Sequence, residues 1–423
     1  MTAINDVDVY VLGIAATRVA RQPERSFGDL VREAYLGALA DAGMKDGEGM
    51  RQVWFSNLGM DFWGQMACKG HATLTPMLRE DLLPAGTTIV DVEAGCASAS
   101  VAFNGALKDV RSGEAEIGVA IGVEKMNDPE RPNGYLEYMN RAADRLNPQA
   151  WHDLYSALAA ETGGTFAPVP DRSIAMDVYA VWMRSHMARY GTTVEQVAAA
   201  AAKNHDNAVG NPRAQYRFPL TVEQVMEDRV VVDPLTRAMC APTGDAAAAV
   251  IVCSAAHLQT LEPEVRARAL RVRGHALAGG TFDVSWDDER APVIAARRAY
   301  RQAGMKPADI DLVELHDATS FAEIHLVEDL GLCARGEGGP FTASGESARG
   351  GEVPVNASGG LVSRGHPIGA TGVMMLNELA LQLRGEAGDI QLPDVSVGLA
   401  ENGGGVIGND VAVCSVTILE RIS

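Results

Sequence analysis

The chain has 423 residues, 47% of them apolar and 22% charged, which is the balance of an ordinary water-soluble globular protein. One hydrophobic core does not grow to that length, so two domains or two fused half-domains are expected. The formal net charge of -19 excludes non-specific attachment to nucleic acid or to an anionic membrane, since both would be repelled. Six cysteines are scattered without any CxxC pair, so neither a zinc site nor a disulfide framework is expected, only reduced intracellular thiols. Met1 to Val11 lacks a basic segment followed by an apolar one, and Arg421-Ile422-Ser423 is not a peroxisomal tripeptide. No apolar run reaches the roughly 18 residues that span a bilayer, so the expectation is a soluble, cytoplasmic protein.

In chain order, Val7 to Leu12 reads as a short apolar strand. Ser26-Phe27-Gly28-Asp29 is a capping-box pattern, followed by Leu30, Ala34, Ala38 and Ala42 at i+4 spacing. That spacing predicts an amphipathic helix stopped by Gly43, and Val53 to Asn57 reads as the next strand. The second half of the chain repeats this order. Leu270 to Val272 is strand-like, Val293 to Ala303 is a helix stopped by Gly304, and Ile310 to Leu315 is the next strand. Even the letters Ala-Gly-Met-Lys recur, at 42–45 and 303–306. A duplicated α/β unit follows, with halves at 1–128 and 241–423. Between them, 129–240 is richer in Asn, Pro, Tyr, Met and Trp and carries helices at Ile174 to Tyr190 and Val194 to Asn204. It reads as a loop insertion laid over the active site, where ligand contacts tend to lie.

Thr88 to Val92 is β-like, and Gly95-Cys96-Ala97-Ser98-Ala99-Ser100 opens a helix running to Gly113. Cys96 therefore stands at a strand-to-helix turn, where the positive helix end favours thiolate over thiol. Taken alone it would read as a small buried hydrophobe. Three segments of the second half change that. Glu314-Leu315-His316-Asp317-Ala318-Thr319 follows a strand, and 359–372 (GGLVSRGHPIGATG) opens a helix. Glu401-Asn402-Gly403-Gly404-Gly405 lies between strand Val395 to Leu399 and the final strand Val411 to Leu419. Histidine takes a proton from cysteine and stabilises an oxyanion, and a glycine run aims backbone N–H groups at the same oxygen.

These segments resemble the thiolase superfamily, and more narrowly its sterol-carrier-protein type, over nearly the whole chain. The GGLVSRGHPIGATG run is the most specific match, joined by EAGCASAS around Cys96, His316 in HDAT and Lys203-Asn204-His205. The resemblance implies a five-layer α-β-α-β-α thiolase fold of two similar halves. It implies that Cys96 is the acylated nucleophile, His366 its base and His316 the group holding the thioester oxygen. The backbone N–H groups of Cys96 and Gly403 would form a second oxyanion hole. It further implies a homodimer or dimer of dimers in acyl-CoA and lipid metabolism. Coenzyme A would be co-substrate, with no permanently bound cofactor.

The pattern breaks at the second cysteine that thiolases use on the substrate α-carbon. Glu401 and Ala318 occupy the two places where relatives carry it, and Cys414 lies in the final strand. Glu401, its pKa raised by burial, or His316 is expected to take that role. The leading expectation is thiolytic cleavage of a 3-ketoacyl-CoA or the reverse Claisen condensation. The alternatives are an acyltransferase or decarboxylating condensing enzyme without reversible Claisen chemistry, or a non-catalytic acyl-CoA or lipid-binding subunit beside a small OB-fold partner. Retro-aldol relatives lack the nucleophile, so Cys96 and His366 speak against that activity. Lys203, Arg217, Arg364 and Ser363, with Arg184 and Arg189, are the candidate contacts for coenzyme A.

Overall fold

The computed structural model describes residues 7–140, 143–282, 285–286, 288–406 and 408–422. The first six residues of the N-terminal stretch and Ser423 of the terminal tripeptide lie outside this range. Eleven strands occur among the described residues: β1 (Val9–Ala16), β2 (Gln52–Ser56), β3 (Thr88–Val92), β4 (Ile117–Glu124), β5 (Val230–Val232), β6 (Leu235–Thr236), β7 (Ala246–Ser254), β8 (Leu270–Gly279), β9 (Leu312–Glu314), β10 (Val397–Gly404) and β11 (Val413–Arg421). Nine of them form one mixed sheet in the order β3-β2-β4-β7-β1-β8-β11-β10-β9, while β5 and β6 pair with each other.

The duplication is written in that order. In the first half β2-β4-β7-β1 run side by side with one parallel and two antiparallel pairings. In the second half β9-β10-β11-β8 repeat the same pairings. The two sets meet at a short β1–β8 seam, Tyr10 opposite Arg271 and Val11 opposite Leu270.

Helix Phe27–Asp41 packs outside β1 and β7, and helix Ala291–Ala303 packs correspondingly outside β8 and β11. The first starts with the capping box at Ser26 and Asp29, and the second ends on Gly304 in the left-handed region. Helices Ser98–Arg111 and Thr371–Arg384 lie against each other in the centre. All but Leu381 and Arg384 of the latter are buried, as a helix covered on every side must be. The layers are thus helix, first half of the sheet, helix pair, second half of the sheet, helix, the expected thiolase arrangement. All residues of β4 and β7 are buried, and their runs of Ala, Val, Ile and Gly carry apolar or very small side chains to both faces.

Three expectations are corrected. The first half does not end before the insertion, because β7 lies between β4 and β1 and completes the first half's sheet. Asp245, just before it, ties this return together by accepting from the backbone N–H of Met126 at 2.7 Å and of Gln22 at 2.8 Å. The insertion is not merely laid on the surface. Tyr155, Trp182 and Val197 join one apolar core with Phe321 and Val416 of the second half. Finally, the glycine segment at 401 does not leave the strand: Glu401 to Gly404 continue β10 opposite Val416 to Val413.

Candidate active site

Four chain segments converge on Cys96. Gly95, with φ +57, turns the chain between β3 and the helix Ser98–Arg111, and Ser98 Oγ closes the turn by accepting from the Ala94 N–H at 2.8 Å. The end of β10 packs directly against this turn. A Cβ on Gly404 would stand 2.3 Å from both Ala94 O and Ala97 N, so only glycine lets the two backbones meet. Ser100 Oγ donates to Asn402 Oδ1 at 2.8 Å and ties the two halves together at this point.

His366 approaches from the loop that precedes the second central helix. Its Nε2 lies 3.3 Å from Cys96 Sγ, and its Nδ1 lies 2.8 Å from Thr371 Oγ1. Thr371 Oγ1 itself donates to Pro367 O at 3.0 Å. With that proton spent, the threonine oxygen accepts from Nδ1–H, which leaves the Nε2 lone pair facing the thiol. Burial pushes the Cys96 thiol up to about 12, reinforced by the Glu124 carboxylate, and burial also drives the His366 imidazolium well below its ordinary pKa. Desolvation here works against the expected thiolate. The direction of both shifts favours a neutral thiol beside a neutral imidazole over the charged pair.

His316 stands edge-on to His366, ring centroids 5.0 Å apart, and burial pushes its pKa down to about 3. Its Nε2 has no hydrogen-bond partner among the described residues. Ligand atoms of Cys96, His316 and His366 all lie within 4.8 Å of one another. The loop carrying His366 is clasped by two acids that follow β9 or end it. Asp317 accepts from Leu361 N–H at 2.6 Å, and Glu314 accepts from Ser358 Oγ at 2.6 Å.

Glu401 is fully buried, and burial pushes its pKa up to about 7. One oxygen accepts from the His316 backbone N–H at 3.2 Å, and the other accepts from the Cys414 thiol at 3.2 Å. Cys414, opposite Gly403 in the ladder, is thus the neighbour of Glu401, a pairing that 13 residues of sequence separation concealed. Gly403, Glu401 and His316 share the wall of a cavity of about 10 Å³, room for one water molecule.

Sequence reasoning missed Glu124, whose only signal was a charge ending an apolar strand. It accepts from Leu58 N at 3.0 Å, Gly59 N at 3.1 Å, Asn57 Nδ2 at 2.9 Å and Gly369 N at 3.0 Å. It therefore fixes the loop after β2 and the segment just beyond His366 with one carboxyl group. Cys96 also borders an apolar cluster of Met126, Tyr135 and Ile368, edged by Phe62 and Tyr138.

The expected basic contacts fare differently. Lys203 forms an internal ion pair with Glu323 at 3.1 Å and donates to Val355 O at 2.6 Å, so it braces the insertion against the second half. Arg364 is fully buried near Glu314, out of reach of a nucleotide at the surface. Ser363 Oγ donates to Tyr216 O at 3.1 Å beneath a groove of about 460 Å³. His205, Tyr216, Phe218, Arg237 and Val362 line that groove, with His205 and Tyr216 stacked 11° from parallel. Arg217 lies between the two aromatic residues in sequence and donates to Val209 O at 3.4 Å. Arg184 donates to the Asp233 carbonyl, and Arg189 lies over the Tyr190 ring.

Family models match both halves: "Thiolase, N-terminal domain" over residues 9–256 and "Thiolase C-terminal domain-like" over 285–420. The chain belongs to the thiolase family. It is 38% identical to an acetyl-CoA acetyltransferase of Methanothermobacter thermautotrophicus, an alignment covering 95% of this chain and 97% of that one. It is 33% identical to sterol carrier protein 2 of Rattus norvegicus, over 93% of this chain and 69% of the relative. Among solved structures it superposes on an Ltp2-ChsH2(DUF35) aldolase with a TM-score of 0.73 and 24% identity, covering 99% of both chains. Human mitochondrial 3-ketoacyl-CoA thiolase follows with a TM-score of 0.67 and 16% identity, again over 99% of both chains. The boundary of the N-terminal family model agrees with the position of β7 in the first half. No helix among the described residues is long and apolar enough to cross a membrane.

Proposed function

We propose that this thiolase-family protein transfers acyl groups from coenzyme A thioesters through a thioester on Cys96. The observation that carries this reading is the His366 Nε2 lone pair held 3.3 Å from the Cys96 thiol. As sulfur attacks the thioester carbon, its proton passes to Nε2, so neither partner needs to be charged beforehand. The oxyanion that forms on the carbon bonded to Cys96 is received by the backbone N–H groups of Cys96 and Gly403, while His316, as the Nε2–H tautomer, holds the thioester oxygen of the substrate. The departing coenzyme A sulfur recovers the proton from His366. The second step returns the acyl group either to coenzyme A or to an α-carbon, as thiolysis or Claisen condensation.

For the α-carbon, Glu401 is the acid/base group. A carboxyl with a pKa of about 7, beside His316 and where relatives carry cysteine, is poised to give and take a proton near neutrality. The second reading, acyl transfer without reversible Claisen chemistry, is favoured by the engagement of both Glu401 oxygens with His316 and Cys414. Coenzyme A would enter along the groove of His205, Tyr216 and Phe218, with Arg217 beside it and Ser363 beneath. The DUF35 component of the similar aldolase assembly supports a small OB-fold partner for this chain, which we place in a homodimeric, cytoplasmic enzyme.

The test is intact mass after incubation with a panel of acyl- and 3-ketoacyl-CoAs, beside Cys96→Ala. An adduct that requires Cys96 and is discharged by free coenzyme A supports the reading. Absence of any adduct, with or without a DUF35 partner, overturns it.

A further inference from the structure

We propose that Cys96, His316 and His366 also form a site for a thiophilic divalent metal ion, which holds the protein in a reversibly blocked state. The three ligand atoms lie within 4.8 Å of one another, with the sulfur 3.3 Å from His366 Nε2. A tetrahedral zinc ion bound to thiolate and imidazole needs sulfur–nitrogen separations of about 3.5 Å, so the pair is already at bonding distance and only His316 must close in. His316 Nε2 is buried and without a hydrogen-bond partner among the described residues, so the tautomer that carries its proton on Nδ1 can turn the Nε2 lone pair to a metal ion. His366 is oriented by Thr371 at its other nitrogen, the outer-shell arrangement that metal-bound histidines use.

Binding replaces the S–H bond with a sulfur–metal bond and releases one proton to solvent; nothing is oxidised or reduced. The fourth position is left to water. One sulfur cannot carry both a metal ion and an acyl group, so metal and acyl donor compete. That blocking effect rests on the acyl-transfer reading, whereas metal binding itself does not.

Cobalt(II) is the probe, because a tetrahedral thiolate complex gives an intense near-ultraviolet charge-transfer band and visible d–d bands. The expected result is one equivalent bound, lost in Cys96→Ala and in protein alkylated at Cys96, and weakened in His316→Gln. Thr371→Val should weaken it by on the order of 10–100-fold, as loss of an outer-shell partner does. Cys68→Ser, at an exposed cysteine near His71, should leave the band unchanged. In parallel, zinc should suppress the acyl adduct on Cys96, and a chelator should restore it. Absence of the band, or its loss only in Cys68→Ser, overturns the site. Acylation that proceeds unchanged in the zinc-loaded protein overturns the blocked state. If metal-free protein is never acylated, the function reading fails while the cobalt spectrum still decides the site.

Discussion

In the first half, the central helix begins two residues after Cys96; in the second, the matching helix begins five residues after His366. The frame is one unit used twice, and each copy brings one member of the nucleophile–base pair to the same point. The strands that follow these helices, β4 and β10, each carry a fully buried carboxyl pushed up to about 7, Glu124 and Glu401. Glu124 accepts from four fixed donors, three of them backbone, and holds loops in place. Among the described residues Glu401 has two partners, one of them the weak thiol donor of Cys414. Carboxyls on corresponding strands thus serve one as a clamp and the other as a group able to exchange its proton, because the number and rigidity of donors set how firmly a carboxyl is held.

The largest effect should come from the nucleophile–base pair itself. Cys96→Ala should leave no acyl adduct in the mass spectrum, and His366→Gln should slow adduct formation by roughly 10²–10⁴. Equal rates in His366→Gln would break the assignment of the second half as the source of the base. Next comes the carboxyl contrast. Glu401→Gln should retain acylation of Cys96 while its carbon–carbon step falls by about 10²–10⁴, a split visible only when both half-reactions are followed. Glu124→Gln should do the reverse of a chemical lesion. Placing an amide NH₂ among four donors costs about 1–3 kcal/mol of stability, read as a lowered denaturant midpoint.

A pH experiment sharpens the same comparison. Glu401 has a folded pKa of about 7 against an ordinary 4.5, so the native state holds its proton over that interval while the unfolded chain has lost it. Its contribution is fully present below 4.5 and is lost as pH rises toward 7, by about 3 kcal/mol in all. The difference in unfolding free energy between wild type and Glu401→Gln should therefore fall across that window and be flat outside it. The smallest effect is at the joint between halves: Ser100→Ala removes the bond to Asn402 and should cost about 1 kcal/mol, measured by chemical denaturation.

Much of this was legible in order along the chain. The capping box at Ser26, the stops at Gly43 and Gly304 and the repeated strand–helix–strand order announced the duplication, since these are local signals set by backbone freedom and side-chain spacing. Cys96 and His366 were legible through their glycine-flanked segments, and His316 through the HDAT segment that directly follows a strand. Illegible were the return of β7 into the first sheet, the clamp at Glu124, the Cys414–Glu401 contact and the internal ion pair of Lys203, all of which join residues far apart in sequence.

The sequence alone determined which residue types stand at each turn and how each element begins and ends, because those depend on neighbours a few positions away. Only the tertiary structure decided their protonation and their partners. A cysteine at a helix start is expected to be a thiolate, yet desolvation by the surrounding layers favours the thiol at Cys96, and a lysine expected at a nucleotide is consumed by a buried glutamate. Burial and pairing are properties of the packed layers, and no local pattern carries them.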